Sequence, residues 1–368
     1  MTGEIPVKSY KHLWEQYVSR ENYETALRNA TRHKGRSGRK GRRAKYYRDH
    51  MEELMPRIMR KATSFRPTHH RQIEIYDGIR RKKRTIVVPS MDEQVMHHML
   101  VNVLKPIFMR PMYEHSYGSI PGRGAHLAKR QIERWIRHGG RNCKYVLKMD
   151  VRKFFDSVPH DKLKAMLRRV VRDERLMRVI DAVIDSAPGD VCIPIGFYTS
   201  QWFANFYLTG LDHYIKETLG AKYYVRYMDD MVIFGPNKRR LHRMRDAIAA
   251  YLRDELGLEM KSNWQVYLFD YVKRNGTRVG RDLDFMGFRF HRERVTLRRS
   301  IMLKLTRKAK RIGAKPRRTV YDARQMLSYL GWLDSTDTYG MFRRRVKPHV
   351  SFQCLRRRIS RWQKRQKR

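Results

Sequence analysis

The chain has 368 residues, and 41% of them are hydrophobic, enough for a real core and too many for a disordered basic tail. It sets 82 Lys and Arg against 36 Asp and Glu, a formal charge of +46 that repels itself unless a polyanion neutralises it. Nucleic acid is the natural partner because phosphate contacts release counterions, although charge alone also admits a generic basic protein such as a ribosomal component.

Length leaves room for about two to three domain-sized units. Residues 1–30 read as a short helical lead-in carrying Trp14 and Tyr17. The stretch from Thr31 to Arg43 is basic and Gly-rich, with no apolar periodicity. It is expected to be mobile when free and ordered on RNA, or else to be a plain solvated loop. From Ile73 to Val88 two β-rich runs flank Asp77-Gly78, a dipeptide that favours a hairpin turn, and Arg80, Arg81, Lys82, Lys83 and Arg84 crowd the second arm.

Helical patterning covers Gln94–Leu104, and residues 117–124 form a loop before another helix. Tyr145–Val151 reads as a strand, and Lys162–Val171 as a helix announced by Asp156, Ser157 and Pro159. Helix signals resume after Thr199 and Ser200, with Trp202, Phe203, Phe206 and Tyr207 on the apolar side, and close at Gly220. A very tight connection separates strands Tyr223–Tyr227 and Met231–Phe234. An amphipathic helix bearing Leu241, Met244, Ile248 and Leu252 ends near Gly257, and strand patterning returns at Leu283–Phe290. Beyond residue 291 the chain is helical and heavily basic. The pattern is that of a mixed α+β sheet domain followed by a helical basic module.

Cys143, Cys192 and Cys354 form no Cys-x-x-Cys pair, so neither a disulfide framework nor a zinc site is suggested, and a reducing cytoplasm fits. No apolar run is long enough to span a bilayer, and no apolar signal core lies near Met1.

The chemistry concentrates at Tyr227-Met228-Asp229-Asp230, between two apolar strands. Adjacent carboxylates repel and raise each other's pKa, a cost tolerated where a divalent cation sits. Alone, the pair also reads as an ordinary turn, since Asp is a common turn residue. Asp150 ends the strand Tyr145-Val146-Leu147-Lys148-Met149, so a third carboxylate can emerge beside them. Three carboxylates can hold two Mg²⁺ ions about 3.5–4 Å apart, one acidifying a 3′-hydroxyl and one stabilising a leaving pyrophosphate. The absence of nearby His or Cys suits Mg²⁺, which prefers oxygen ligands.

Asp150-x-x-x-Phe154-Phe155, Ile193-Pro194-Ile195-Gly196 and Tyr-Met-Asp-Asp occur in the order found in reverse transcriptases, and over roughly residues 75–290 the chain resembles that family. The resemblance implies an α+β right-hand fold of fingers, palm and thumb, with an antiparallel palm sheet. It divides the chain into a basic N-terminal extension (1–44), fingers and palm (45–290) and a basic helical thumb and tail (291–368). Asp150 and Asp229 are then the principal metal ligands, Asp230 a weaker one, and Val151 completes the metal set. Phe155 lies under the sugar of the incoming nucleotide and collides with a 2′-hydroxyl, unless it is a core Phe. Lys82 and Arg84 match basic residues set against the triphosphate, and Ile195, Gly196 and Gln201 complete the nucleotide site. Lys261 resembles the Lys proposed to protonate pyrophosphate, with a solvated surface Lys as the alternative. Phe285-Met286-Gly287-Phe288 resembles the primer-grip hairpin, Gly287 permitting a close backbone approach; a simple core strand competes.

Most bacterial members carry Gln before the glycine at 196 and Ser-Pro further on, whereas this chain has Ile195 and Ser200-Gln201. That pattern resembles reverse transcriptases of diversity-generating retroelements, which copy a template RNA with errors at adenines and work with a small basic accessory protein. Ile removes hydrogen-bonding capacity beside the nascent pair, so a looser geometric check is physically reasonable. Related sequences occur among defence-associated enzymes that make cDNA from a dedicated structured noncoding RNA. Ile120 stands where the family usually has Arg before Pro-Gly. With no nuclease signature after residue 290, built-in target cutting is not expected, while a splicing maturase, which needs only RNA binding, stays open. Template RNA, cDNA and dNTPs are the expected partners, with no membrane.

Overall fold

Local signals explain where the first helices form. The Ser19 side chain accepts a hydrogen bond from the Asn22 amide at 3.1 Å and starts the helix Arg20–Thr31, which buries Tyr23, Ala26, Leu27 and Ala30. Ser90 and Glu93 cap each other reciprocally at the head of the helix Met91–Met109, whose buried Val95, Met99, Leu100 and Leu104 supply much of the adjacent core. The computed structural model describes residues 8–32, 34, 38–66, 70–77 and 82–367. The turn residue Gly78, the cations Arg80 and Arg81, and His33, Gly35, Arg36 and Ser37 of the basic stretch lie outside the described residues.

One expectation needs correction. The basic stretch is not irregular throughout, because Gly38–Asp49 is a helix that buries Gly41, Ala44 and Tyr47. Those three residues lie at i, i+3 and i+6 on one face. Two of them are too small to register as apolar periodicity, so the helical face was invisible to a hydropathy reading.

Eleven strands are formed among the described residues. They are β1 (Arg71–Asp77), β2 (Lys82–Val88), β3 (Tyr145–Asp150), β4 (Tyr223–Tyr227), β5 (Asp230–Gly235), β6 (Gln265–Leu268), β7 (Tyr271–Val272), β8 (Arg278–Val279), β9 (Leu283–Phe285), β10 (Phe288–Phe290) and β11 (Val295–Leu297). β1 and β2 make the expected antiparallel hairpin, with Arg71 opposite Val88 and Asp77 opposite Lys82. A four-stranded sheet has the order β4-β5-β3-β6, and β9 to β11 make a three-stranded antiparallel sheet.

The chain divides into two compact units. The first holds the described residues up to Ile120, Met149–Met231 and Arg243–Trp264. It contains the β1–β2 hairpin, the helices around Met91–Met109, and the strand ends that carry Asp150 and Asp229. The second holds Pro121–Lys148, Val232–His242 and Gln265–Arg368. Its helices Arg299–Gly313, Val320–Leu327 and Phe352–Lys367 share a core of Leu305, Ala309, Ile312, Ala323, Met326, Val346, Val350 and Leu355. No helix among the described residues is long and apolar enough to cross a membrane.

Candidate active site

Strand geometry delivers Asp150 first. Main-chain bonds from Lys261 N to Asp150 O and from Arg152 N to Glu259 O, both 2.8 Å, align residues 259–261 antiparallel to the end of β3. That alignment brings the Lys261 ammonium to 2.8 Å from Asp150 Oδ2, and this bond holds the Lys261 pKa above its ordinary value. Asp150 Oδ1 is buried and receives no donor among the described residues. Val151 is buried and has only its main-chain carbonyl to offer a cation.

Asp229 sits in the two-residue connection between β4 and β5, and Asp230 opens β5. Burial pushes the Asp229 carboxyl well above the usual carboxylate range, and the Asp150 carboxylate, close enough to share a proton, pushes it further; Asp230 adds a smaller contribution. Among the described residues no three His, Cys, Asp or Glu side chains are drawn into a metal cage. The nucleus of the site is therefore the Asp150–Asp229 pair. An orphaned buried carboxylate oxygen, a second carboxyl forced towards its neutral form and oxygen-only donors fit a divalent cation.

The connection itself is strained. Met228 has φ 56°, a left-handed value that a residue with a Cβ adopts at a cost of about 1–2 kcal/mol. Gly118 makes room for it: a Cβ at 118 would stand 2.5 Å from Met228 N and 2.6 Å from its Cγ. Asn205 Nδ2 donates to Gly118 O at 2.9 Å and reaches Met228 Sδ at 3.5 Å.

The remaining expected residues fall as follows. Phe154 is buried while Phe155 is half-buried, so the core ring of that pair is Phe154. Ile195 is half-buried, and its carbonyl accepts from Val87 N of β2 at 2.8 Å. Gly196 has φ 124°, and a Cβ there would stand 2.0 Å from Val87 O, so this glycine is required by packing against β2. Gln201 is exposed on the helix Tyr198–Tyr207. Lys82 and Arg84 lie on β2; Arg84 is half-buried, and the Lys82 side chain lies outside the described residues. Ile120 is buried. In the second unit Phe285 is wholly buried, while Met286 (φ 50°) and Gly287 (φ 91°) form the tip between β9 and β10. The close approach Gly287 permits is to Ile301 and Trp332, each 2.9 Å from a Cβ placed there.

Sequence reasoning missed Gly118, Asn205, Asp212 and Arg226. A signal existed for two of them: Arg226 interrupts the apolar strand Tyr-Tyr-Val-Arg-Tyr, and Asp212 an apolar helix, so each needed a buried partner.

Residues 70–290 match the family described as reverse transcriptase (RNA-dependent DNA polymerase). The chain belongs to the reverse transcriptase family. Its mixed helices and antiparallel sheets are those of that family's right-hand polymerase fold. It is similar to an uncharacterized 91 kDa protein in a cob intron of Schizosaccharomyces pombe, 30% identical over 42% of this chain and 20% of that protein. It is also similar to the retron Ec73 reverse transcriptase of Escherichia coli, 25% identical over 49% of this chain and 58% of that one. The chain thus spans less than two thirds of the length of these curated relatives. Among solved structures, telomerase from Candida albicans with a fragment of telomeric RNA aligns at 12% identity and a TM-score of 0.45, over 83% of this chain and 60% of that chain.

Proposed function

We propose that this chain is an RNA-directed DNA polymerase, adding deoxynucleotides to a primer 3′-hydroxyl by attack on the α-phosphate, with release of pyrophosphate. The observation that carries the reading is the Asp150–Asp229 pair, one carboxylate at the end of β3 with Lys261 bonded to it and the other on the strained turn after β4. Stability does not ask for this arrangement, and such perturbed carboxyls cluster at functional sites.

Asp150 and Asp229, with Asp230 in support and the Val151 carbonyl beside them, would hold the divalent cations, two Mg²⁺ in this reading. Bound there, such ions supply Lewis-acid activation and charge stabilisation for phosphoryl transfer. Lys261, its proton held by Asp150, is placed to protonate a departing pyrophosphate oxygen. Lys82 and Arg84 offer cations to the triphosphate, and Gln201 lies beside the Ile195-Gly196 loop in sequence. Phe155 presents a half-exposed ring against a ribose 2′-hydroxyl. Met286 and Gly287 take the primer-grip role, and the segments 1–44 and 291–368 bind RNA as a basic extension and thumb.

Asp229→Asn is expected to abolish primer extension on an RNA template while RNA binding persists. Extension at the wild-type rate would remove the assignment. Phe155→Val is expected to admit ribonucleotides, measured as the ratio of rNTP to dNTP incorporation; an unchanged ratio would make Phe155 a packing residue.

For the biological role we propose error-prone copying in a diversity-generating retroelement, with a structured template RNA and a small basic accessory protein. Ile195, which offers hydrocarbon where a hydrogen-bonding Gln is usual in the family, supports it. Antiphage cDNA synthesis and intron maturation are the alternatives. Sequencing the RNA and cDNA that copurify separates them: errors concentrated at template adenines support diversification, and faithful copies of one noncoding RNA support defence.

A further inference from the structure

A fully buried arginine lies one residue before Tyr227, and every N–H of its guanidinium is used. Nε donates to Asp212 Oδ1 at 2.7 Å and Nη2 to Asp212 Oδ2 at 2.6 Å, a bidentate pair in which both side chains are completely buried. Nη2 also reaches Asn205 O at 3.5 Å, and Nη1 donates to Asn205 Oδ1 at 3.2 Å. The remaining donor, on Nη1, goes to Met228 O at 3.1 Å. Tyr224 Oη donates to Asp212 Oδ1 at 2.7 Å and completes the cage. The main chain is tied as well, Arg226 N to His115 O at 3.1 Å and Tyr117 N to Arg226 O at 2.9 Å.

Four of the five donors serve the cage, and one leaves it. Met228 O belongs to the peptide that joins Met228 to Asp229, so the fifth donor grips the peptide plane from which the Asp229 side chain departs. That plane needs a grip, because Met228 is left-handed and wedged against Gly118 with no spare room.

We propose that Arg226, neutralised by Asp212, is a positioning residue that fixes the Met228–Asp229 peptide and through it the Asp229 carboxylate. Asp212 and Asn205 act by aiming the guanidinium, so the cage links the helical segment 205–212 to the catalytic turn. The proposal deepens the polymerase reading and rests on it. A buried ion pair that only filled space is replaceable by apolar groups of similar size, often at no loss of stability. A pair that aims a peptide plane is not replaceable in that way.

The test is the triple variant Arg226→Met, Asp212→Leu, Tyr224→Phe, which removes both charges and leaves no stranded Tyr224 hydroxyl. Three readouts are taken on the full chain: thermal melting, amide exchange over residues 227–231, and steady-state extension of a DNA primer on RNA. The expected result is a folded protein with faster exchange confined to the turn, kcat lowered roughly tenfold or more, and KM for dNTP within about twofold of wild type. A folded triple variant with wild-type exchange and kcat would overturn the proposal. Arg226→Lys answers the case in which the triple variant does not fold. It keeps the charge beside Asp212 but replaces five donors fixed in a planar fork by three on one nitrogen, so the bidentate pair and the bond to Met228 O are not both expected to survive. It should show the same exchange and rate changes, and wild-type values for both would equally overturn the proposal. If the wild type extends no primer, the polymerase reading fails, and exchange alone still decides whether Arg226 holds the turn.

Discussion

Two tight turns in this protein share an unusual feature and solve it by opposite means. Between β4 and β5, and again between β9 and β10, two residues connect the strands and the first is a left-handed methionine, Met228 or Met286. At the second turn the next residue is Gly287, also at positive φ, which matches the two-residue hairpin turn whose twist suits the strands. That turn is covered by apolar groups, Ile301 and Trp332, with Arg298 N donating to Gly287 O at 2.8 Å. At the first turn the second residue is Asp229, whose φ is not positive, so only the first position is left-handed, and a Met occupies it where Gly is the usual residue. The groups hydrogen-bonded around it are polar and buried: Arg226, Asp212 and Asn205. A turn that only reverses the chain can rely on glycine and packing. On the proposed reading, a turn that presents a carboxylate gives up the glycine and relies on a hydrogen-bonded scaffold instead.

The sharpest way to break this contrast is to add one methyl group at each turn. Gly118→Ala puts a Cβ against Met228 N, a backbone atom that cannot swing aside, so the carboxylate shifts. A misplacement on the order of 1 Å costs roughly 100-fold in rate, and that loss is expected in primer-extension kcat. Gly287→Ala meets side-chain atoms of Ile301 and Trp332 and an unfavourable φ, and is expected to lower stability by about 1–3 kcal/mol, read from urea unfolding. If the stability loss belonged to 118 and the rate loss to 287, the two turns would have exchanged roles.

The pH dependence is a smaller effect. Asp229 has a folded-state pKa above its unfolded value, so between the ordinary aspartate range and neutral pH the folded state binds more protons. Its contribution to stability is therefore present at low pH and lost as pH rises through that window. Metal-free protein should melt at lower temperature as pH increases there, and Asp229→Asn should flatten this dependence. A dependence unchanged by Asp229→Asn would place the responsible group elsewhere.

The smallest effect is expected at Ile195, which belongs to neither turn. Ile195→Gln supplies a donor and an acceptor, and about 1.4 kcal/mol changes discrimination tenfold, roughly one hydrogen bond's net worth. Misincorporation on a defined RNA template should fall by up to about that factor, most visibly opposite adenine. Matching error spectra from the two proteins would weaken the diversification role and favour defence.

Much of the protein was legible in its sequence for a physical reason: the signals were local. Strand alternation, helical periodicity and the paired aspartates each act within a few residues, so β1 to β5, the Gln94–Leu104 part of the helix Met91–Met109 and the positions of Asp150 and Asp229 could be read directly. The family order of those segments carried the chemistry. What stayed hidden was long-range or too small to see. The helix Gly38–Asp49 buries glycine and alanine, which carry no hydropathy signal, and the short β11 lay inside a stretch read as helical. The lack of a side chain at Gly196 is required by Val87, far earlier in the chain, and no local signal carries that requirement. The proposed grip on the Met228–Asp229 turn depends on residues 118, 205, 212 and 226 meeting in one place. Only the tertiary structure brings them together, because a buried arginine is stable only where every one of its donors finds a partner, and those partners are set by the fold.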